Sequence, residues 1–299
     1  MSDRKSRTDT FITGAVRYND LAYIVTQDDS LEARIEHSHL YSWDAGQWGY
    51  DDMKDWPTVS VTITREHLEQ ALFMSPYGDI RLFGSGQEND EKIKTPDGDP
   101  IDRGHLRQAR TIGQKTFAVG MGRQVYRRDD VDHWTCLDQT IRPAIGETKG
   151  FESIDGFDES DLYAVGWDGE IWHYNGQQWS QKESPTNLLL TRVLCAGDGQ
   201  VYASGRRGLL IVGRGDSWQP IEQEDISSDI WDLAWYDGTL YLSTLRGLYT
   251  LQGDSLVAVD FGEDTPATYY HLSVADGVLW SFGAKDIMAF DGSTWTRID

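Results

Sequence analysis

Several features that would classify this chain quickly are missing. Nowhere in its 299 residues do 18 apolar residues run together, so no membrane-spanning helix is expected. There are two cysteines, Cys136 and Cys195. They fall at unrelated points of the sequence pattern and read as reduced thiols, not a disulfide framework. Met1 to Thr10 carries positive charge with no apolar stretch behind it. No secretory signal is expected, and the protein reads as cytoplasmic. Positive charge is scarce: 27 Lys and Arg stand against 49 Asp and Glu, a net charge of −22. Such a surface repels phosphates, which argues against nucleic acid or an anionic membrane as partner. It favours a basic protein partner.

Catalytic and metal motifs are missing too. No H-E-x-x-H, G-x-S-x-G or phosphate-cradling glycine motif occurs, and the chain is not read as an enzyme. His37 and His39 share a strand face, but no third ligand follows in sequence. Asp97, Asp99 and Asp102 are spaced like part of a calcium loop that lacks its other positions. Neither group is read as a metal site, and no cofactor is expected.

What the chain does have is a repeat. Leu162 to Trp179 reads LYAVGWDGEIWHYNGQQW. Leu162 to Val165 favours a strand, Trp167-Asp168-Gly169 turns, and Glu170 to Tyr174 alternates as a second strand. Asn175-Gly176 signals a hairpin of type I′, which needs positive φ at both central residues. The landmarks Gly166, Gly205, Thr244 and Gly283 lie 39, 39 and 39 residues apart. Trp179, Trp218, Leu256 and Trp295 follow at 39, 38 and 39. A leading strand ends at Asp198-Gly199, Asp237-Gly238 and Asp276-Gly277, again 39 and 39 apart. Four short strands in about 40 residues are one blade of a β-propeller.

The pattern of a short apolar strand, Gly, then Ile-x-x-Tyr-x-Gly-x-x-Trp resembles the blade repeat of bacterial propeller proteins, kin in style to kelch, WD-repeat and photosystem-assembly-factor propellers. It covers Leu106 to Asp299 well and the first hundred residues poorly. The resemblance implies fold, and propellers host many functions.

The expected fold is all-β: one seven-bladed propeller of four-stranded antiparallel blades, with six blades as the alternative count. Residues 1–10 read as a flexible lead-in and 11–299 as one domain. The blades are placed at Phe11–Asp52, Pro57–Pro100, Leu106–Thr140, Phe151–Glu183, Leu188–Ile221, Asp229–Val259 and Tyr269–Asp299. A short helix is expected over Arg65 to Leu72, the competing reading being a strand that ends in the turn Ser75 to Gly78. Gly84 to Gly104 reads as an acidic excursion. Trp48, Trp134, Trp179, Trp218 and Trp295 recur at one blade position and should pack between blades.

Function is expected on the loops of the rigid scaffold. Interblade connections and the turns between strands two and three share one face of a propeller. The connections are read as an acidic rim of Asp51, Asp52, Asp55, Glu222, Glu224, Asp225, Asp229, Glu263 and Asp264, joined by Glu88, Asp90 and Glu91. Inside it the turns hold Arg123, Arg206, Arg207, Arg246 and Lys285. Trp56 and Trp231 fall near connections, where an exposed aromatic anchors a partner. Arg192, Trp231 and Tyr270 each stand six residues before the Asp of an Asp-Gly turn, and should meet at the channel mouth.

An acidic propeller without catalytic motifs resembles immunity proteins that neutralise bacterial toxins. That resemblance implies a protein-binding inhibitor of a basic, nuclease-type toxin. The other readings are a general interaction or assembly propeller, and a hydrolase or lectin working in the channel. A toxin gene next to this one would favour the first.

Overall fold

A computed structural model describes residues 8–96, 98–144 and 146–299. Its 28 strands form seven sheets of four, each ordered as in the chain. Blade 1 holds β1 (Asp9–Tyr18) to β4 (Gln47–Lys54). Blade 2 runs from β5 (Ser60–Thr64) to β8 (Gln87–Lys92), and blade 3 from β9 (Leu106–Ile112) to β12 (His133–Cys136). Blade 4 runs from β13 (Phe151–Asp158) to β16 (Trp179–Lys182), and blade 5 from β17 (Leu190–Cys195) to β20 (Ser217–Pro220). Blade 6 runs from β21 (Asp232–Tyr236) to β24 (Ser255–Ala258), and blade 7 from β25 (His271–Ala275) to β28 (Trp295–Arg297). Every pairing is antiparallel. The seven-blade count therefore stands over six.

Seven apolar clusters hold the ring, one at each interface between neighbouring blades. The recurrent tryptophans sit in them: Trp134 between blades 2 and 3, Trp179 between 3 and 4, Trp218 between 4 and 5. Trp295 and Trp48 do the same between blades 6 and 7 and between 7 and 1. The last interface closes the ring without strand exchange, since blade 7 is wholly C-terminal and blade 1 wholly N-terminal. Phe11 N–H donates to the Ala284 carbonyl at 3.0 Å, and Val16 N–H to Ser273 Oγ at 3.0 Å.

The landmark glycines are needed for space. A Cβ on Gly166 would lie 2.0 Å from the Gly150 carbonyl oxygen, and one on Gly283 would lie 2.1 Å from that of Thr268. In blades 3, 4, 5 and 7 the entering chain crosses directly over the end of the second strand. Type I′ geometry occurs at Asp237-Gly238 (φ 46° and 74°) and Asp276-Gly277 (φ 47° and 75°). Asn175-Gly176 departs from the expectation. Only Gly176 has positive φ, and Asn175 Oδ1 accepts from the N–H groups of Gln177 and Gln178 at 3.1 and 3.0 Å. The loop is four residues long, from 175 to 178, and the asparagine caps it from its side chain.

Blade 2 corrects two further expectations. No helix forms over Arg65 to Leu72. A turn with His67 at φ 62° leads into β6, Gln70–Met74, which ends at the turn Ser75 to Gly78. Ala71 and Phe73 pack toward blade 1, Leu72 and Met74 toward blade 3. A strand buried on both faces shows no alternation, so its period was hidden. The expected excursion over 84–104 contains strand β8, Gln87–Lys92. The expected flexible lead-in falls mostly on residues 1–7, outside those described, while Asp9 and Thr10 already belong to β1. Asp97 of the calcium-like spacing is likewise outside the described residues.

Candidate partner face and central channel

The innermost strands β1, β5, β9, β13, β17, β21 and β25 line a channel of about 920 Å³. Their edges pair with no other strand, so their N–H groups need acceptors from elsewhere. One level of the channel supplies them. Thr13, Ser60, Gln108, Ser153, Arg192, Asp232 and His271 occupy equivalent register positions in the seven blades. All are polar. Ser60 Oγ accepts from Ala109 N–H at 3.0 Å, and Gln108 Oε1 from Ile154 N–H at 2.8 Å. Ser153 Oγ accepts from Val193 N–H at 3.1 Å, and Asp232 Oδ2 from Leu272 N–H at 2.9 Å. Each of these four side chains caps the next blade.

Arg192 breaks that series, because a guanidinium cannot accept. Leu233 N–H, the donor it would have served, is taken by Asp232 Oδ1 at 2.7 Å. Arg192 instead holds Asp232 with Nε at 2.5 Å and Nη2 at 2.9 Å. His271 Nδ1 lies 3.3 Å from the same carboxylate. Asp232 is fully buried. Burial pushes its carboxyl up, but Arg192 and His271 outweigh that and hold it below the usual range.

The mouth is built just above this level. Trp231 and Tyr270 stand 5.5 Å apart, ring centre to ring centre, and Tyr270 packs on His271 at 4.1 Å. Arg192, Trp231 and Tyr270 all line the channel, but the strand register sets Arg192 level with Asp232 and His271, one residue on from Trp231 and Tyr270. Opposite them, Trp167 Nε1 donates to Glu152 Oε1 at 2.8 Å, and Arg107 Nε lies 3.5 Å from that same oxygen. Burial pushes the Tyr270 hydroxyl up, and it also senses Asp232, Arg192, Glu152 and Arg107. Deeper in, Arg110 pairs with the buried Asp155 at 3.2 and 3.4 Å.

The rim is only partly as expected. The connections place Asp55, Glu222, Glu224 and Glu263 in solvent, without a hydrogen bond or ion pair to another described residue. Asp225 and Asp229 lie there too, accepting from Leu256 N–H at 2.7 Å and Arg207 N–H at 2.9 Å. Asp264 lies there but is clasped by Arg297 at 2.7 Å. Asp51 and Asp52 belong instead to β4, which runs two residues past the expected blade end. Asp52 faces Arg81 and Lys54, both at 3.1 Å. Glu88, Asp90 and Glu91 are in β8, and Glu91 is buried against Arg128 at 2.6 Å. Trp56 is half-buried and packs on the cluster between blades 1 and 2, so it is no exposed anchor.

The inner basic set also divides. Arg123 is locked to Glu170 at 2.6 and 2.8 Å, and Lys285 pairs with Asp29. Arg206 is exposed and lines the channel, while Arg207 and Arg246 are exposed on their turns. Sequence reasoning missed Arg107, Glu152, Trp167, Asp232 and His271. Asp232 and His271 directly follow Trp231 and Tyr270, so carrying the alignment one residue further reaches them.

Cys136 and Cys195 are free thiols, each pushed up by burial. His37 is occupied as a loop staple. Its Nε2 accepts from Asp28 N–H at 2.9 Å and its Nδ1–H donates to the Ile35 carbonyl at 2.9 Å. Among the described residues, no group of three or more His, Cys, Asp or Glu is placed to hold a metal ion. No helix of the described residues is long and apolar enough to cross a membrane.

No family model matches the chain. Two solved structures share its fold at low identity. "YCF48 bound to D1 peptide" superposes with a TM-score of 0.66 at 15% identity, covering 94% of this chain and 91% of that one. The virginiamycin B lyase of Staphylococcus aureus gives 0.63 at 10% identity, covering 80% and 83%. A binding protein and a lyase on one scaffold show why fold alone does not decide function. The relative "Immune protein Tsi7" of Pseudomonas aeruginosa is 49% identical over 297 residues, 96% of each chain. At that identity and coverage, this chain belongs to the Tsi7 immune-protein family.

Proposed function

We propose that this protein is a cytoplasmic immunity protein that neutralises a basic, nuclease-type toxin by binding it, without catalysis of its own. The observation that carries the reading is the full-length 49% identity to an immune protein. The charge supports the finer part. A nuclease is basic where it holds phosphates, and a net charge of −22 steers such a surface inward. The contact face is the one bearing the connections, with Asp55, Glu222, Glu224 and Glu263 as its unpaired carboxylates. Asp225, Asp229 and Asp264 lie on the same face. Trp231 and Tyr270 supply aromatic surface at its centre.

The test is protection of cells that express the partner toxin, with association rates measured at low and high salt. The Glu222→Lys, Glu224→Lys, Glu263→Lys triple variant should associate about tenfold more slowly at low salt. The difference should shrink at high salt, because exposed charges are screened beyond about 8–10 Å at physiological ionic strength. Unchanged rates with full protection would remove the rim from the mechanism. Turnover of a substrate by the purified protein would overturn the inhibitor reading.

A further inference from the structure

The channel wall runs against the charge of the rest of the molecule. Arg107, Arg110, Arg192 and Arg206 line it on blades 3 and 5, in a chain of net charge −22. Blades 1 and 2 contribute the uncharged Ile12, Thr13, Pro57 and Thr58 together with Arg17, Arg65 and Glu69. The carboxylates among the arginines are already committed. Asp232 serves Arg192, His271 and two backbone N–H groups. Asp155 serves Arg110 and Cys195 N–H. Glu152 takes the Trp167 indole.

The arginines are not used up in the same way. Arg107 Nε makes no hydrogen bond, and its one ion pair, to Glu152 Oε1, is long at 3.5 Å. The Arg206 guanidinium has no side-chain partner among the described residues, and Arg192 and Arg110 spend only Nε and Nη2 on their aspartates. Guanidinium donors held by neighbouring carboxylates, with further N–H groups open to a cleft, match the planar fork of an incoming carboxylate. Trp167, Trp231 and Tyr270 line the same channel.

We propose that the channel mouth is a receptor for a carboxylate on a peptide segment of the partner, seated among Arg107, Arg192 and Arg206 beside Trp231 and Tyr270. This rests on the reading that the protein works by binding a protein partner. A free small anion must cross the field of the acidic rim to reach the site, whereas a basic partner carries its own acidic residue through that field. The rim then governs encounter, and the central socket selects a partner whose carboxylate stands at the right place.

The test uses the full chain labelled with nitrogen-15, following the tryptophan indole N–H signals by NMR. The Trp167 and Trp231 signals are identified by Trp→Phe variants. The probes are acetyl-Gly-Asp-Gly-amide, its Asn counterpart, and succinate. The Asp peptide should shift these two signals saturably, and the Asn peptide should bind at least about tenfold more weakly. Arg107→Gln and Arg206→Gln should each weaken the Asp peptide by about tenfold, the scale of one charge-assisted hydrogen bond. Arg206 has no side-chain partner among the described residues, so Arg206→Gln should keep the wild-type thermal midpoint, while Arg107→Gln gives up only the 3.5 Å ion pair with Glu152 and should lower it slightly. No shift with the Asp peptide, equal binding of the Asn peptide, or indifference to both substitutions would overturn the proposal. Succinate binding as tightly as the Asp peptide would overturn the peptide source. Full protection by a double variant that no longer binds peptide would remove the socket and leave the immunity reading intact. Peptide binding without protection would remove the immunity reading and leave the socket.

Discussion

Asp232 joins blades 5, 6 and 7, so its removal should be the costliest single polar change in the channel. It accepts from Arg192 of blade 5 at 2.5 and 2.9 Å, from its own neighbour Leu233 at 2.7 Å, and from Leu272 of blade 7 at 2.9 Å. Breaking a buried ion pair by removing one partner costs about 3–5 kcal/mol, because the remaining charge is left uncompensated. Arg192 keeps 15% of its side chain exposed toward the channel, so water can take over part of its solvation. The two backbone N–H groups lose their acceptors at about 1 kcal/mol each. Together these place Asp232→Ala at about 4–6 kcal/mol, with Asp232→Asn at about half that because the amide keeps one acceptor. Urea unfolding at pH 7, with an unchanged m-value, reads the loss directly. A double-mutant cycle with Arg192→Gln isolates the pair and should show coupling above about 1 kcal/mol. A loss below about 1 kcal/mol for Asp232→Ala, or strict additivity with Arg192→Gln, would refute the view that this carboxylate ties three blades.

Three other outcomes follow from the same structure. Gly166→Ala should cost about 2 kcal/mol or more in urea unfolding, since its Cβ would lie 2.0 Å from the Gly150 carbonyl oxygen; a neutral result would mean the crossing chain yields easily. Acid should leave stability flat from pH 7 to about 5 and erode it below about pH 4. The carboxyls of Asp232 and Asp286 are pushed up by burial but held low overall by their hydrogen-bonded and charged partners. Their contribution is therefore present above the unfolded-state value and is lost as pH falls through the lower folded one; an unfolding midpoint that already drops near pH 6 would contradict it. The Glu222→Lys, Glu224→Lys, Glu263→Lys variant should unfold within about 0.5 kcal/mol per site of wild type, as exposed and unpaired positions do; a larger loss would show hidden structural roles for these carboxylates.

The blade count and most strand limits were legible in the chain, because each blade is made by local turns. Asp237-Gly238 and Asp276-Gly277 specify two-residue hairpins by backbone geometry alone. The landmark glycines recur because the same chain crossing recurs in several blades. Counting back from those turns reached Trp231 and Tyr270, but the longer turn of blade 5 sets Arg192 one residue off, level with Asp232 and His271. Local signals failed where burial was two-sided or where a neighbour in the ring decided the outcome. β6 hides its period because both of its faces are covered. Trp56 looked exposed until blade 2 was folded against blade 1. Arg192, Asp232 and His271 are about 40 residues apart in sequence, and only ring closure brings innermost strands that share no backbone ladder within hydrogen-bond reach. Asp232, like Ser60, Gln108 and Ser153, fills an acceptor place that the missing ladder leaves open. That requirement belongs to the closed ring and to no single blade.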